Sequence, residues 1–484
     1  MHPKIVLRII SYLLLIVCVF MLTAIAVALH YREFSVALAF FQPVAVTSLI
    51  AAGFLFTVRN SSRSNPSFKD GFLFVAGGWG IVALLGALPF YLSGTIPLFC
   101  DAYFETISGF TTTGASILTE IQSLPKAILY WRSLTHWLGG MGIVVLTVAI
   151  LPLLGVGGLQ LVKAEAPGPT VDKITPRIAE TAKYLWYIYL GMTVLETLLL
   201  MGGGMVFFDA LTHTFGTVAT GGFSTKNSSV AFFNSSYIDW VITFFMVAAG
   251  MNFVLHFRLL TGNVKSLFRN TELKAYLLIF ALATLLIACK LHFAAVYSSF
   301  ADALRYAAFQ VASILTTTGY ATADYEKWPY MAQAVLFLLM FVGGCSGSTG
   351  GGIKVIRIVA LFKQAMNEMK YLIHPKAIFP LRLSGQVVRK NIVYAISGFF
   401  FLYISILLLV TFVVTLAGVD LLSALTTALA TVGNIGPGFG IVGPTHNYAH
   451  FPDMVKWVLS FAMLAGRLEL YTVLVLFTPM FWKR

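Results

Sequence analysis

The sequence predicts an all-α, polytopic membrane protein in which four pseudo-symmetric helix–pore loop–helix units surround one pore, after two extra transmembrane helices. The first observation is composition, since 58% of the 484 residues are hydrophobic and only 11% are charged, which excludes a water-soluble chain of this length. The second is that apolar runs of 18 or more residues recur along the whole chain, as transmembrane helices require. The third is a short motif of small and hydroxyl residues, ending in glycine, that occurs four times.

Two leading spans are predicted at residues 5–29 and 34–58. The end of the first, residues 24–28, resembles a signal-peptidase site, so a cleaved signal is the alternative interpretation. The uncharged run is longer than a typical signal core and a second span follows at once. Both features favour an uncleaved anchor.

Each of the four units has a first span, a short re-entrant helix that begins near an aspartate, the glycine-ending motif and a second span. After the leading pair at residues 1–69, the predicted units are residues 70–160, 161–265, 266–365 and 366–484. Their paired spans are residues 72–92 and 127–154, 184–207 and 237–260, 273–290 and 331–362, and 392–417 and 455–481. The plan gives ten crossings, with polar connections at residues 163–183 and 363–390 that are typical of solvated loops or short surface helices.

The distribution of charge predicts the orientation in a bacterial inner membrane. With the amino terminus inside, 23 of the 32 basic residues lie on one side of the predicted spans. Because basic residues accumulate in cytoplasmic loops, both termini and the long loops are expected in the cytoplasm, and the four motifs face outward. The net charge of +13 is thus largely a matter of topology and gives no reason to expect nucleic-acid binding.

The repeated motif is predicted to be a cation-selectivity filter. Its copies are Thr111-Thr112-Thr113-Gly114, Val218-Ala219-Thr220-Gly221, Thr316-Thr317-Thr318-Gly319 and Ala430-Thr431-Val432-Gly433, with Asn434 after the last. Backbone carbonyls and threonine hydroxyls can replace the hydration shell of a cation, and glycine lets successive carbonyls turn to one side. A single copy would indicate only a helix end in a tight turn, but four copies at matching places favour the filter.

An aspartate stands near the start of each re-entrant helix: Asp101, Asp209, Asp302 and Asp420. Aspartate is a good N-cap, and we expect these residues to be caps rather than ion ligands. Each helix then ends at the motif, so its partial negative charge is directed toward the membrane centre, where a dehydrated cation would rest.

A glycine-rich stretch interrupts the second span of the third unit and is predicted to be a mobile gate below the filter. It runs Gly343, Gly344, Cys345, Ser346, Gly347, Ser348, Thr349, Gly350, Gly351, Gly352. Six glycines in ten residues cannot hold a helix in lipid, so the stretch lines a cavity or is buried in protein. A phosphate-binding loop is excluded because Ile353 precedes Lys354 and no Ser or Thr follows that lysine. A static kink is the other alternative.

Arg467 is the second gate candidate, because an arginine within a span is energetically expensive. The sequence pairs Gly466-Arg467 with Gly140-Met141 and Gly250-Met251, so a pore-facing methionine position becomes cationic. A positive charge below the filter would slow cation passage. The alternative is an interior ion pair with Glu196 or Glu469.

The four-unit plan with one glycine per filter resembles the Trk/Ktr/HKT superfamily of potassium transporters from about residue 70 to the end. The two leading spans are similar to its TrkH/TrkG type, and Thr431-Val432-Gly433-Asn434 is the copy most similar to the potassium-channel phrase Thr-Val-Gly-Tyr-Gly. The resemblance implies an intramembrane gate and a preference for K⁺ with some tolerance of Rb⁺, since all four filter positions are glycine. It also implies a homodimer with one pore per subunit and a cytoplasmic TrkA-type ring that binds nucleotides and gates flux.

The expected function is therefore potassium uptake through a channel-like pore, with no cofactor in the chain besides the transported K⁺. A Na⁺- or H⁺-coupled symporter is the alternative, and it would need a buried carboxylate, for which Glu196 and Glu469, well inside predicted spans, are the candidates. A third possibility is the membrane subunit of a larger pump, such as a potassium-pumping ATPase. No nucleophile–histidine–acid set indicates an enzyme.

Overall fold

The computed structural model describes residues 2–58, 67–140, 142 and 178–483. The long first helices of the leading pair and of the four units are Pro3–His30, Phe34–Thr57, Phe68–Leu92, Ile178–Gly202, Thr271–Phe293 and Lys390–Leu416. The short re-entrant helices, called the pore helices below, are Phe99–Phe110, Phe207–Val218, Phe300–Leu315 and Leu421–Val432. The remaining α-helices are Lys126–Gly140, Ser236–Ala249, Phe253–Leu260, Lys265–Arg269, Tyr330–Leu339, Val355–Ile373, Asp453–Arg467, Tyr471–Leu474 and Pro479–Trp482, and one hairpin pairs Arg382–Leu383 with Gln386–Val387.

The leading pair packs along the first unit. Its two helices contact each other along their length, and Pro3–His30 also packs on Phe68–Leu92 and Lys126–Gly140. The carboxylate of Glu33, in the turn between the pair, accepts hydrogen bonds from the backbone N–H groups of Lys126 and Ala127 at 2.6 and 3.0 Å. These bonds satisfy free donors at a helix start and fix the leading pair against the first unit.

The same hairpin occurs four times. In each unit the long first helix packs against the pore helix that follows it. The pore helices are buried along most of their length, whereas much of the first helix of units two, three and four stays exposed and apolar, as a lipid-facing surface would be. The four-unit prediction therefore matches the observed fold.

The second spans of units two and four, predicted at residues 237–260 and 455–481, are each broken into two helices. Ser236–Ala249 and Phe253–Leu260 meet at 100°, and Asp453–Arg467 meets residues 471–477 at 114°. In unit two the break has its own cap, since the Asn252 side chain accepts a hydrogen bond from the Val254 N–H at 2.8 Å. In unit four Glu469 and Leu470 both take positive φ, which ends the helix.

Crossings can be assigned only in part. Among the described residues, six helices are long and apolar enough to cross a membrane, or eight if each bent pair counts as one span. The predicted ten crossings include the second span of unit one, which the structure describes as Lys126–Gly140. The rest of that span, Met141 as an equivalent of Arg467, and most of the connection 163–183 lie outside the described residues. The connection 363–390 is a helix to Ile373 followed by the hairpin.

Candidate ion pathway

All four pore helices end in the same backbone geometry. Each is followed by a C-cap residue, then by a residue in the left-handed conformation, and two positions later by a glycine of positive φ. The left-handed residues are Thr112, Thr220, Thr317 and Asn434, with φ of 53°, 55°, 58° and 54°. The glycines are Gly114, Gly222, Gly319 and Gly436, with φ of 79°, 80°, 82° and 93°. We call residues 111–114, 219–222, 316–319 and 433–436 the filter segments.

A hydrogen bond closes each of these helix ends. The N–H after the left-handed residue reaches back to the carbonyl five residues earlier. The four pairs are Thr113 to Ser108, Gly221 to Gly216, Thr318 to Ser313 and Ile435 to Ala430, at 2.7–2.9 Å. This is the Schellman ending, in which the left-handed residue is usually glycine. Here it is threonine three times and asparagine once, so each segment holds a strained conformation at a place where strain marks function.

The structure corrects the register of two motif copies. Val218 is the last residue of its pore helix, and Ala430, Thr431 and Val432 form the last turn of theirs. Thr431 donates its hydroxyl to the Thr427 carbonyl at 2.8 Å, inside the helix. The segment equivalent to Thr111–Gly114 is therefore one residue later in unit two and three residues later in unit four.

The glycine positions change with the register. Gly221 and Gly433 do not have the positive φ of Gly114 and Gly319, whereas Gly222 and Gly436 do. Residues 431–434 resemble the potassium-channel phrase, but the first two of them belong to the last turn of the pore helix. All four structurally equivalent positions are again glycine.

The four filter segments form a closed ring. A Cβ on Gly114 would lie 2.2 Å from the Gly221 carbonyl oxygen, and one on Gly222 would lie 2.0 Å from the Thr318 oxygen. The third and fourth contacts complete the circle. A Cβ on Gly319 would lie 2.2 Å from the Ile435 oxygen, and one on Gly436 would lie 2.6 Å from the Thr113 oxygen. No side chain can occupy these places, since Cβ atoms do not approach oxygen so closely. The glycines let four backbones meet around one axis.

Threonine side chains in the ring mostly fix the backbone. In the first and third segments the C-cap hydroxyl donates to a carbonyl of its own helix and contacts the hydroxyl two residues on. Asn434 joins the fourth segment to the first, since its amide nitrogen donates to the Thr113 hydroxyl and the Met463 carbonyl, both at 2.9 Å. The Thr112 hydroxyl is buried and makes no hydrogen bond within the described parts of the chain.

The glycine-rich stretch, residues 343–352, called the glycine loop below, lies directly beneath this ring. The Gly351 N–H donates to the Thr317 hydroxyl at 2.7 Å, and a Cβ on Gly351 would lie 2.6 Å from the Gly433 oxygen. The Thr349 hydroxyl is 3.1 Å from the Val218 carbonyl oxygen and 3.2 Å from that of Ala249. The loop therefore contacts the inner ends of the second, third and fourth units.

Two anchors hold the ends of the glycine loop. The Cys345 N–H donates to the Gly250 carbonyl at 2.9 Å, at the break in unit two. The Glu272 carboxylate accepts from the N–H groups of Ser346 and Ile356, at 2.7 and 3.1 Å. Nine residues, 347–355, lie between the anchored Ser346 and Ile356, and the first six of them complete the glycine loop below the filter.

Arg467 links the glycine loop to the first unit. Its guanidinium donates to the Thr349 carbonyl at 2.7 Å and to the Gly139 and Gly140 carbonyls at 2.6 and 3.1 Å. The residue is the last of its helix, at the break in unit four. Of the two acids considered as its partners, Glu469 is ion-paired with Arg357.

The structure also shifts the alignment of Arg467 with the other units. A Cβ on Gly139 would contact the Phe110 oxygen, and one on Gly466 the Val432 oxygen, each the carbonyl just before a pore-helix C-cap. Gly466 is therefore equivalent to Gly139, and Arg467 to Gly140. The sequence-based pairing of Gly466 with Gly140 was therefore one residue out of step.

Comparisons with known proteins agree with this architecture. The model of the TrkH family, described as a cation transport protein, matches residues 37–484. The chain is 43% identical, over 100% of both sequences, to the Trk system potassium uptake protein TrkH of Salmonella typhimurium. The chain belongs to the TrkH family. It is also 35% identical to the Trk system potassium uptake protein TrkG of Escherichia coli K12, over 100% of this chain and 99% of that protein.

A solved structure of the TrkH family has the same fold. The crystal structure of the potassium transporter TrkH from Vibrio parahaemolyticus matches with a TM-score of 0.89 and 38% identity, over 100% of both chains. The family and these relatives are transporters rather than enzymes. A multi-pass membrane protein is thus the class to which this chain belongs.

In this TrkH-family chain each pore helix also carries a side chain that holds the outgoing part of its loop. Six residues before the C-cap stand Glu105, His213 and Gln310, and Thr426 takes this role in unit four. Each side chain bonds to residues 11–13 positions later. The partners are Ser116 and Ile117 for Glu105, Ser224 for His213, Thr322 and Ala323 for Gln310, and Phe439 for Thr426. These bonds fix the point at which the loop after each filter segment leaves the ring.

Only the first of these contacts is built on a full ion pair. The Arg132 Nε lies 2.6 Å from a Glu105 oxygen, and the two side chains are 3% and 0% exposed. Arg132 also donates to the Ser224 carbonyl at 2.9 Å and lies 3.6 Å from the centre of the Phe223 ring. The pair therefore ties the first filter segment to the loop that follows the second.

The pore-helix aspartates are placed differently from expectation. Only Asp420 is an N-cap, accepting the Ser423 N–H at 3.0 Å, and hydrogen bonds from Ser423 lower the pKa of its carboxyl. The other three lie in the first helical turn and pair with lysine or arginine side chains: Asp101 with Lys456, Asp209 with Lys226 and Asp302 with Arg305. Carboxylates there complement the helix dipole at its outer end, far from the filter segments.

The sequence missed Gly222, Gly436 and the Glu105–Arg132 pair. A second glycine follows Gly221 directly, and another stands three residues after Gly433, so both were visible as candidates. Which glycine takes positive φ depends on where the helix ends, and that is set by the backbone hydrogen bond described above. Glu105 and Arg132 stand 27 residues apart, and no sequence pattern joins them.

Proposed function

We propose that this chain forms the pore of a potassium uptake system and conducts K⁺ down its electrochemical gradient. The closed ring of four filter segments carries the proposal. Carbonyl oxygens of four equivalent segments can replace the water shell of a monovalent cation, and the pore helices direct their negative ends to the same centre. Relatives over the full length are named potassium uptake proteins, which supports K⁺ as the ion.

The proposed ligands are the backbone carbonyls of the filter segments rather than the threonine side chains. The hydroxyls of Thr111 and Thr316 donate hydrogen bonds to backbone carbonyls of their own pore helices. Four glycines at the equivalent positions keep the ring free of side chains, which favours K⁺ with some tolerance of Rb⁺. The sequence-predicted residues Val218, Ala430, Thr431 and Val432 contribute to the proposed site only as the helix ends that support it.

The glycine loop and Arg467 form the proposed gate. Loop residues lie against the inner ends of the second, third and fourth units, and the Arg467 guanidinium joins the loop to the first unit. A loop of small residues with few side-chain anchors can move at low cost, and a cation below the filter raises the barrier to K⁺. Opening requires the loop and the arginine to leave the axis together, since one hydrogen bond joins them.

Regulation is proposed to come from the cytoplasm. The charge distribution favours cytoplasmic termini, and the relatives' names describe them as parts of a Trk system. We infer a homodimer with one pore per subunit, whose inner face receives a TrkA-type nucleotide-binding ring. Labelling of single cysteines at residues 376 and 446 in intact cells tests the orientation, since only position 446 should react with an impermeant reagent.

Flux measurements test the pore. The purified chain is reconstituted in liposomes with an imposed voltage but no Na⁺ or pH gradient, and uptake of K⁺, Rb⁺, Na⁺ and Li⁺ is compared. We expect K⁺ and Rb⁺ to enter well ahead of Na⁺ and Li⁺. Equal uptake of all four ions would refute the filter.

Two variants test the gate in the same liposomes. Deletion of residues 347–350 and Arg467→Ala should each raise K⁺ uptake, because they remove the loop's seal or the charge. Unchanged flux in the deletion would leave the loop a static kink, and slower uptake by Arg467→Ala would contradict a barrier.

One observation favours a coupled symporter as the second candidate. Glu196 is 0% exposed in the middle of Ile178–Gly202, and neither carboxylate oxygen has a hydrogen-bond donor among the described residues. A buried carboxyl of this kind can carry a coupling proton. Uptake that requires a pH gradient, and loses that requirement in Glu196→Gln, would favour the symporter over the channel.

A further inference from the structure

A basic cavity lies where the helix that leaves the glycine loop reaches the hairpin. It has a volume of about 270 Å³ and is lined by Lys363, Met366, Asn367, Lys370, Pro380, Leu381 and Arg382. Three of these side chains are cationic and none is acidic. Glu368 is the only acid between residues 354 and 390, against eight lysines and arginines, and it does not line the cavity.

The wall of the cavity is held by specific contacts. The Lys363 amine donates to the Arg382 carbonyl at 2.9 Å, and the Asn367 amide donates to the Phe379 carbonyl at 3.3 Å. The ring centroids of Tyr371 and Phe379 are 5.1 Å apart, and the Tyr371 hydroxyl accepts a hydrogen bond from the Phe379 backbone N–H at 3.1 Å. Residues 379–382 are thereby fixed over the helix, so the cations converge on a space formed in advance of any ligand.

Helix geometry puts the cavity near the level of the lipid headgroups when the glycine loop is set at the centre of the membrane. Val355 begins its helix at the glycine loop, inside the membrane, and Lys363 and Lys370 follow about 12 and 22 Å along the axis. Half the hydrocarbon core is about 15 Å thick, so its edge falls between the two lysines. The hairpin also packs on the first turns of the span Lys390–Leu416, through the cluster of Ala360, Leu381 and Ile396.

An exposed apolar stripe runs beside the lysines. Phe362, Met369 and Ile373 follow helical spacing on one face and are 67%, 51% and 73% exposed. Leu372 in the same helix and Ile378 beyond its end are 84% and 88% exposed. Cations beside exposed apolar side chains are the pattern of a segment that meets lipid headgroups, whereas a site for a soluble anion needs no exposed leucine or isoleucine.

We propose that this cavity binds the headgroup phosphate of an anionic phospholipid, whose acyl chains lie along the exposed apolar side chains of Phe362, Met369, Leu372, Ile373 and Ile378. Lys363, Lys370 and Arg382 supply the countercharge, and Asn367 supplies a neutral donor. Bound lipid would hold the hairpin against the helix that continues the glycine loop. The lipid composition of the inner leaflet would thereby act on the segment attached to the gate.

Lipid binding by the full chain tests the proposal. The protein in mixed micelles of phosphatidylcholine and phosphatidylglycerol is analysed by native mass spectrometry for retained phosphatidylglycerol. Lys363→Gln/Lys370→Gln/Arg382→Gln should weaken retention on the order of a hundredfold, since each cation near an anionic headgroup contributes severalfold. The control Lys265→Gln/Arg269→Gln/Lys274→Gln removes the same charge from another exposed segment and should retain lipid like the wild type. Equal retention by the two triple variants would overturn the site.

A second arm separates lipid from a soluble anion. Leu372→Ser/Ile373→Ser/Ile378→Ser keeps all cations and should still weaken retention of phosphatidylglycerol. Inorganic phosphate at millimolar concentration should not displace the lipid from the wild type. Full displacement by phosphate, or undiminished retention in the serine variant, would identify a soluble anion site and overturn the lipid assignment.

Discussion

The filter ring and the region just below it differ in symmetry. In the ring all four units supply the same elements, a left-handed residue and a glycine two positions later. Below the ring, within the described ranges, a glycine loop comes from the third unit alone and an arginine from the fourth alone. Coordination of one ion on an axis needs equivalent ligands, whereas a gate needs one element that can move while the others stay. The repeated hairpin is therefore the same in all four units at the proposed ion site and differs between units at the proposed gate.

The largest effect is expected from a methyl group in the ring. Gly222→Ala places a Cβ 2.0 Å from the Thr318 carbonyl oxygen at a φ of 80° and should abolish selective K⁺ uptake. The control Gly418→Ala has nearly the same φ, 84°, with nothing within 4 Å, so it bears only the backbone strain of about 1–2 kcal/mol. Uptake and ion selectivity are measured in liposomes for both. A Gly222→Ala protein with the wild-type K⁺/Na⁺ ratio would break the ring model.

The next effect concerns the ion pair of Glu105 and Arg132, which supports the first filter segment. Glu105→Gln or Arg132→Met leaves a buried charge without its partner and should cost about 3–5 kcal/mol of stability. The double variant removes both charges and should recover part of that loss. Thermal unfolding in detergent measures stability, and Na⁺ permeability reports the first filter segment. If the double variant loses as much as the two single variants together, the pair is not coupled.

How much the sequence could predict depends on whether a feature is local. The four pore helices, the filter at Thr111–Gly114 and Thr316–Gly319 and the glycine loop all follow from residues next to one another. The register at Gly222 and Gly436 does not, because two glycines compete in each copy and the helix end decides between them. The break at Asn252 and the ion pair of Glu105 depend on packing between segments that are distant in sequence.

A moderate effect is expected from loosening the glycine loop without shortening it. Thr349→Val keeps the side-chain volume but removes the hydroxyl that reaches the Val218 and Ala249 carbonyls. Buried carbonyls then lose a donor, at a cost of about 1–3 kcal/mol to the closed arrangement, so resting K⁺ flux should rise. The control Thr415→Val removes an exposed hydroxyl that bonds within its own helix and should not alter flux. A Thr349→Val protein with unchanged flux and unchanged stability would mean that the loop is held by its backbone alone.

The smallest effect distinguishes the two registers of the fourth segment. Thr431→Val removes a hydroxyl that bonds to the Thr427 carbonyl inside the helix, so K⁺/Na⁺ selectivity should stay at the wild-type value. Asn434→Ala removes the donor to Thr113 and should lower selectivity, because that bond joins the fourth segment to the first. The sequence-based register predicts that Thr431→Val lowers selectivity as well, since it counts both Thr431 and Asn434 among the filter residues. Measured in one ion-competition assay, the pair decides which backbone atoms of the fourth unit face the ion.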